Sequence, residues 1–359
     1  MDFPLTESLR ALGLTAALAR DAAFVLDPLE WPSARLVRLV ELHRDAVRVH
    51  DGRLEVTAQI APALLRAGEL AVGDWVVCVP DAYGQDWVRG RVPPESHIAR
   101  RDADGRRHPV VSNVDSALLV MGLDDDFNLR RLERYIALVL GSGVQPVVVL
   151  SKADVAAAQP GRVAHCLDAV RQRSGPDVEV LALDGTSPAS VAALAPHLLP
   201  GRTLVLLGSS GAGKSTLTNT LLGGAVQDTG PVRVSDHRGM HTTTSRSLHC
   251  LPGGTCVIDT PGLRTLRPDL DAEALGASFG DIRTLAAQCR FRDCRHAGEP
   301  GCAVREGVDA DRVRNYQKML RESRRDSVGP LERREQLSVW KARSKSIRQR
   351  AKTGPVDPF

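Results

Sequence analysis

Gly208-Ser209-Ser210-Gly211-Ala212-Gly213-Lys214-Ser215 fills every fixed position of a G-x-x-x-x-G-K-[ST] phosphate loop. The apolar run 203–207 before it has strand length, and 216–222 after it has the pattern of a helix, ended by Gly223 and Gly224. Strand, glycine-rich loop and helix in that order is the arrangement a polyanion needs. Glycines let backbone N–H groups curl around phosphate oxygens, and a helix N-terminus adds partial positive charge. Residues 208–215 with Thr216 are the expected phosphate contacts: Lys214 on the β- and γ-phosphates, Ser215 on Mg²⁺. A chance glycine-rich turn ahead of a helix is the competing reading.

Upstream, 115–121 and 147–150 are near-continuous apolar strands separated by a helix-spaced stretch from Leu129 to Leu140, which predicts a parallel α/β sheet. The second strand runs into Ser151-Lys152-Ala153-Asp154. At that position an N-K-x-D sequence recognises guanine. The Asp154 carboxylate would accept from N1–H and the exocyclic amine, while the Lys152 stem lies along the base. Ser151 stands where asparagine is usual. A third strand, 179–183, leads to 184–187, the expected second base-contacting loop.

Downstream, Gly239 to Thr244 is a polar loop in which Thr243 is placed to hold Mg²⁺ when a triphosphate is bound. A hairpin over 248–258 then delivers Asp259-Thr260-Pro261-Gly262. This D-x-x-G supplies a carboxylate to the Mg²⁺ shell from Asp259 and an N–H to the γ-phosphate from Gly262. Leu263 follows, where many GTPases carry the water-orienting glutamine. His241 is the nearest polar group able to take that role, against the plainer reading of a solvent-facing loop residue. The base reader precedes the phosphate loop, the reverse of the ordinary order, so the nucleotide domain is circularly permuted.

The flanks differ in texture. Short alternating runs at 36–42, 46–50, 53–58, 74–79 and 86–92, with an Asp51-Gly52 turn, predict a five-stranded OB-fold barrel. Arg38, Arg44, Arg48 and Arg53 give it a face compatible with an RNA backbone, or simply a solvated one. Residues 7–24 have one helical pattern. On the other side, Cys289, Cys294, His296 and Cys302 form C-x4-C-x-H-x5-C, a soft tetrahedral donor set that suits one structural Zn²⁺. Cys78, Cys166, Cys250 and Cys256 lie in apolar elements as small hydrophobes. Val313, Tyr316, Met319 and Leu320 mark a further helix. The tail carries Lys341, Arg343, Lys345, Arg348, Arg350 and Lys352 without an acid between 336 and 356, so its partner is a polyanion or water alone.

The chain of 359 residues, 43% hydrophobic and 25% charged with formal net charge +4, has room for two or three domains. It offers no stretch approaching the roughly 18 apolar residues of a membrane helix. A cytoplasmic protein without membrane attachment, acting as a monomer, is expected. The divisions read from sequence are a 1–34 extension, a 35–100 OB-fold, a 101–275 permuted GTPase domain, a 276–330 zinc-binding helical domain and a 331–359 basic tail.

Together the barrel, S-K-A-D, G-S-S-G-A-G-K-S, G-M-H-T-T-T, D-T-P-G-L and the Cys/His cluster resemble the small ribosomal subunit biogenesis GTPase RsgA family, from about Leu36 to Tyr316. The resemblance implies a GTPase that docks on the maturing small subunit and its rRNA, is stimulated by it, and leaves after hydrolysing GTP to GDP. It makes His241 the catalytic histidine and assigns zinc to Cys289, Cys294, His296 and Cys302. Departures are Ser151 for asparagine, Leu183-Asp184 for Ser-Ala, and Met240 for arginine. The rival readings are a zinc-dependent RNA-binding nucleotide switch with little hydrolysis and an ATP-specific P-loop enzyme.

Overall fold

The computed structural model describes residues 3, 5–25, 32–68, 70–101, 106–224, 246–261, 267–268, 275–276 and 278–327. His241, Thr243, Gly262 and Leu263, with the 239–244 loop and the 331–359 tail, lie outside the described residues.

Five strands, β1 (Arg35–Leu42), β2 (Ala46–His50), β3 (Glu55–Ile60), β4 (Trp75–Pro80) and β5 (Asp86–Arg91), pair in the order β1-β2-β3-β5-β4, and β4 returns to β1. The sheet is closed, β3 and β5 run parallel, and the helix Pro62–Ala67 sits between β3 and β4. This is the expected OB-like barrel. Its Asp51-Gly52 turn takes positive φ only at Gly52, while Asp51 Oδ1 accepts from the amides of Arg53 and Leu54. The single helix expected over 7–24 is two, Glu7–Ala11 and Ala16–Ala22. Gly13 at φ 88° turns the chain between them, and Thr15 caps the second through its hydroxyl.

The basic face expected on the barrel is corrected at two positions. Arg38 is fully buried, donating to the carbonyls of Leu12 and Asn113 with its guanidinium 5.6 Å from the Trp75 ring centre. It joins the N-terminal extension, the barrel and the segment entering the nucleotide sheet. Arg48 is paired with Glu41 and Glu55. Arg44 and Arg53 remain exposed.

After β6 (His97–Arg101) and β7 (Arg107–Ser112) come β8 (Ser116–Gly122), β9 (Gln145–Ser151), β10 (Glu179–Ala182), β11 (Thr203–Leu207), β12 (Ser247–Cys250) and β13 (Cys256–Asp259). The order β10-β9-β8-β11-β13-β12 is parallel except for β12, which runs antiparallel. Residues of β8 and β9 alternate between two apolar cores: Leu118, Val120, Val147 and Val149 face one, Leu119, Met121, Val148 and Leu150 the other. Burial on both faces is why these strands are nearly unbroken apolar runs. Strand β12 also pairs with β1 of the barrel, Glu41 opposite Ser247, so one sheet runs through both. The β6–β7 hairpin was not anticipated; it straddles residues 100–101 and pairs with β14 (Arg267–Pro268).

The C-terminal helices Gly280–Ala286, Ala303–Gly307 and Ala310–Ser327 form a third core from Leu275, Phe279, Ile282, Val304, Val313 and Met319. Ala137 of the helix Leu129–Gly141 belongs to the same core, so this module packs directly on the nucleotide domain.

Candidate functional site

The phosphate loop emerges from β11 between β8 and β13 and enters the helix Lys214–Leu222. Gly208 lies so close to β8 that a Cβ would come 2.2 Å from the Val120 carbonyl, and Gly213 sits at φ 92°. Side chains are excluded at the first position by packing and disfavoured at the second by backbone geometry. Lys214 is buried, its Nζ donating to the carbonyls of Ser209 at 2.8 Å and Gly208 at 3.2 Å. Burial lowers its pKa, with Asp259 and Asp126 pulling the other way.

Ser215 Oγ donates to Asp259 Oδ2 at 3.2 Å. Two hard oxygens one helix-start and one strand-end apart are close to the roughly 3.0 Å edge of an octahedron with Mg–O bonds near 2.1 Å. Asp259 is buried, which pushes its carboxyl pKa up against the opposing pull of Lys214 and Ser215. Thr260 Oγ1 donates to the Leu206 carbonyl at 2.7 Å, holding the start of D-x-x-G on β11.

The 151–154 loop is fastened to the phosphate loop. Ser151 Oγ donates to the Ala212 carbonyl at 2.6 Å, and Lys152 Nζ to the Gly211 carbonyl at 2.7 Å. Lys152 adopts φ 59°, turning the chain so that Asp154 stands exposed beyond it. Among the described residues the Asp154 carboxylate receives no hydrogen bond. The 184–187 loop lies alongside: Ala153 N–H donates to the Leu183 carbonyl, and Thr220 of the phosphate-loop helix donates to the Gly185 carbonyl at 2.7 Å. Asp184 itself is spent locally, accepting from the amide and hydroxyl of Thr186.

Two carboxylates were missed in the sequence. Asp124 Oδ2 pairs with Lys152 Nζ at 2.6 Å, and Asp126 Oδ1 accepts from Ser209 Oγ at 2.5 Å while its other oxygen takes the Gly122 amide at 3.1 Å. The signal was present: an Asp124-Asp125-Asp126 run at the carboxyl end of a buried parallel strand, where open α/β sheets place their ligands.

The four sulfur and nitrogen donors of Cys289, Cys294, His296 and Cys302 lie within 4.8 Å of one another. Cys289 Sγ is 3.7 Å from His296 Nδ1 and 4.0 Å from Cys302 Sγ, and Nδ1 is 3.4 Å from Cys302 Sγ. A tetrahedron with bonds near 2.3 Å to sulfur and 2.05 Å to nitrogen has edges of about 3.8 and 3.5 Å, so a metal ion fits this cluster. His296 at φ 58° and Gly301 at φ 69° bend the loop into that shape. Of the thiols expected as buried hydrophobes, Cys78, Cys166 and Cys256 are buried, but Cys250, the last residue of β12 before the turn, is exposed.

Residues 92–268 match the family model for the RsgA GTPase. A protein of Xanthomonas oryzae pv. oryzae named small ribosomal subunit biogenesis GTPase RsgA is 45% identical over 301 residues, 80% of each chain. One of the same name from Xanthomonas axonopodis pv. citri is 43% identical over 336 residues, 89% of each. Among solved structures, YjeQ from Thermotoga maritima superposes with a TM-score of 0.58 at 22% identity, over 81% of this chain and 98% of that one. YloQ, described as a circularly permuted GTPase, gives 0.53 at 23% identity over 81% and 95%. These two likenesses concern the fold.

Proposed function

The chain belongs to the RsgA GTPase family, and from that premise we propose that it hydrolyses GTP to GDP while bound to the maturing small ribosomal subunit, late in assembly and stimulated by it. The observation that carries the reading is the joint between the two loops. Ser151 and Lys152 hold the carbonyls of Ala212 and Gly211, so a base reader at Asp154 and a phosphate cradle at 208–216 form a single nucleotide site.

In that site Asp154 accepts from the guanine edge. The amides of 209–213, with the helix N-terminus at Lys214–Thr216, surround the phosphates. The Lys214 ammonium neutralises them once its bonds to the loop carbonyls are exchanged for phosphate oxygens. Ser215 and Asp259, with Thr243, would hold Mg²⁺, which supplies charge stabilisation across the β- and γ-phosphates when bound. Gly262 offers its N–H to the γ-phosphate. His241 orients the attacking water, taking the role that Leu263 cannot; this assignment rests on sequence position.

The barrel (35–100) and zinc module (276–330) flank the nucleotide domain as subunit-binding parts. Cys289, Cys294, His296 and Cys302 would hold a structural Zn²⁺ that fixes the 289–302 loop. An open cavity of about 640 Å³ beside that loop is lined by Arg295, Arg321, Arg324 and Tyr316. Such a lining suits a phosphate backbone with a stacked base, in keeping with rRNA as the partner. No helix among the described residues is long and apolar enough to cross a membrane. The reading includes a cytoplasmic monomer. The deciding experiment is GTP turnover with and without purified small subunits, in wild type and His241→Ala. Strong stimulation of the wild type and its loss in the variant are expected; no stimulation of the wild type overturns the proposal.

A further inference from the structure

Cys250 and Cys256 stand directly opposite each other on antiparallel β12 and β13, their sulfurs 3.7 Å apart. The tight turn between them is closed by Leu251 N–H to the Thr255 carbonyl and Gly254 N–H to the Leu251 carbonyl. The Cys256 amide is committed elsewhere, to the Arg202 carbonyl on the β11 side. Cys250 and Cys256 therefore form the pair type that exchanges no backbone hydrogen bonds, in which Cα atoms lie about 4.5 Å apart. That separation is inside the range a disulfide spans, about 4.4–6.8 Å. Only a side-chain rotation separates the two sulfurs from bonding distance.

The two thiols differ in access. Cys250 is exposed, whereas Cys256 is fully buried, with its Sγ toward the Ala11 carbonyl at 3.8 Å. The hydrogen bond with Cys250 lowers the Cys256 pKa, burial opposes this, and the buried Arg38 charge adds to the lowering. The pair therefore holds one thiolate more readily than an isolated buried thiol such as Cys78, which burial pushes up to about 12. Neither residue belongs to the metal cluster or to the nucleotide site described above.

We propose that Cys250 and Cys256 are a reversible dithiol–disulfide site that takes low-molecular-weight organic disulfides as its oxidant. The exposed Cys250 sulfur, its proton passed to Cys256, attacks one sulfur of RSSR; a Cys250–SR bond forms and RS⁻ leaves, taking up a proton from water. Cys256 then loses its proton and its sulfur attacks that of Cys250, so the Cys250–Cys256 bond forms and the second RS⁻ departs as RSH. The two cysteines lose two electrons and one RSSR becomes two RSH. The bridge fastens β12 to β13, the strand that ends in Asp259.

The test uses the full chain treated with oxidised glutathione at neutral pH, alkylated without reduction and digested with trypsin. Cleavage after Arg246 and Arg264 leaves both cysteines on one peptide. In wild type this peptide is expected unalkylated and two hydrogens lighter than the dithiol, and doubly alkylated again after reduced glutathione. Cys256→Ser is expected to stop at a Cys250–glutathione adduct, and Cys250→Ser, at an exposed position, to give no bridge and no adduct on this peptide. A wild-type peptide carrying two alkyl groups, or a lasting glutathione adduct at Cys250, overturns the proposal.

Discussion

The Ser151 hydroxyl donates to the Ala212 carbonyl at 2.6 Å, although 61 positions of chain separate the two residues. Ser151 is buried and Ala212 wholly so. A serine thus ties the base-reading loop to the phosphate loop at the position where the family's asparagine is usual. Removing the hydroxyl leaves a buried carbonyl without that donor, a cost of about 1–3 kcal/mol. Ser151→Ala is expected to weaken GTP and GDP binding about tenfold, since 1.4 kcal/mol is a factor of ten. Ser151→Asn, which restores a donor, is expected to stay close to wild type. Titration with a fluorescent guanine nucleotide reads both, and unchanged affinity in Ser151→Ala would show that the joint is not needed for binding.

In the proposed site Asp154 carries the choice of base. A carboxylate offers only acceptors, whereas the amide of Asp154→Asn offers one acceptor and one donor face. Guanine presents two donors on that edge; xanthine presents a donor at N1 and an acceptor at O2. The variant is expected to lose GTP affinity by about 10- to 100-fold, the worth of a charge-assisted pair, and to gain relative preference for XTP. Competition among GTP, XTP and ATP measures it. Equal competition by ATP in wild type would sink guanine specificity.

The contrast between these residues and the ones overlooked is physical. Residues 208–215 and β11 were legible because the constraint is local. A left-handed glycine, a close strand crossing and a continuous apolar run each leave their mark within a few positions. The barrel strands were legible for the same reason, through alternation and turns. Asp124 and Asp126 act across space on Lys152 and Ser209, and sequence distance hides that. Arg38 had the pattern of a basic surface residue because its neighbours in sequence suggested it. Its carbonyl partners at Leu12 and Asn113 come from two other parts of the chain. The break at Gly13 and the exposure of Cys250 likewise follow from how elements meet rather than from their own composition.

The contact between nucleotide domain and C-terminal helical module centres on Glu133 and Arg312, both buried. Arg312 Nη1 reaches Glu133 Oε1 at 2.9 Å and also grips Asp281 through two bonds, while Asn315 Nδ2 meets the other Glu133 oxygen at 2.5 Å. Arg173 Nη1 lies 3.4 Å from the same Glu133 oxygen, so losing Arg312 leaves Glu133 partly paired, and the cost falls at the low end of the about 3–5 kcal/mol for breaking a buried pair. Arg312→Ala is therefore expected to lower stability by that amount in urea unfolding. Replacing the surface pair Arg171 and Asp168, both well exposed, is expected to change it by under about 1 kcal/mol. Equal, small effects from both would mean that the module docks through its apolar core alone.

Glu299 shapes the loop between His296 and Cys302. One oxygen accepts from the Arg295 amide at 3.0 Å and the other from Ala297 and Gly298 at 2.8 and 3.0 Å. The amide of Glu299 itself, with these backbone donors, favours the ionised form and holds the Glu299 pKa down to about 2, against an ordinary 4.5. Because the folded-state value is depressed, the carboxylate's contribution is complete above 4.5 and is lost as the pH falls toward 2. Glu299→Gln keeps one acceptor oxygen of the two and removes the charge. The wild type is expected to hold this loop better than the variant at neutral pH, with slower amide exchange at Arg295, Ala297 and Gly298. That advantage should shrink as the pH drops below 4.5. A difference that stays constant between pH 6 and pH 3 would assign the loop's order to the metal cluster, with Glu299 contributing nothing through its charge.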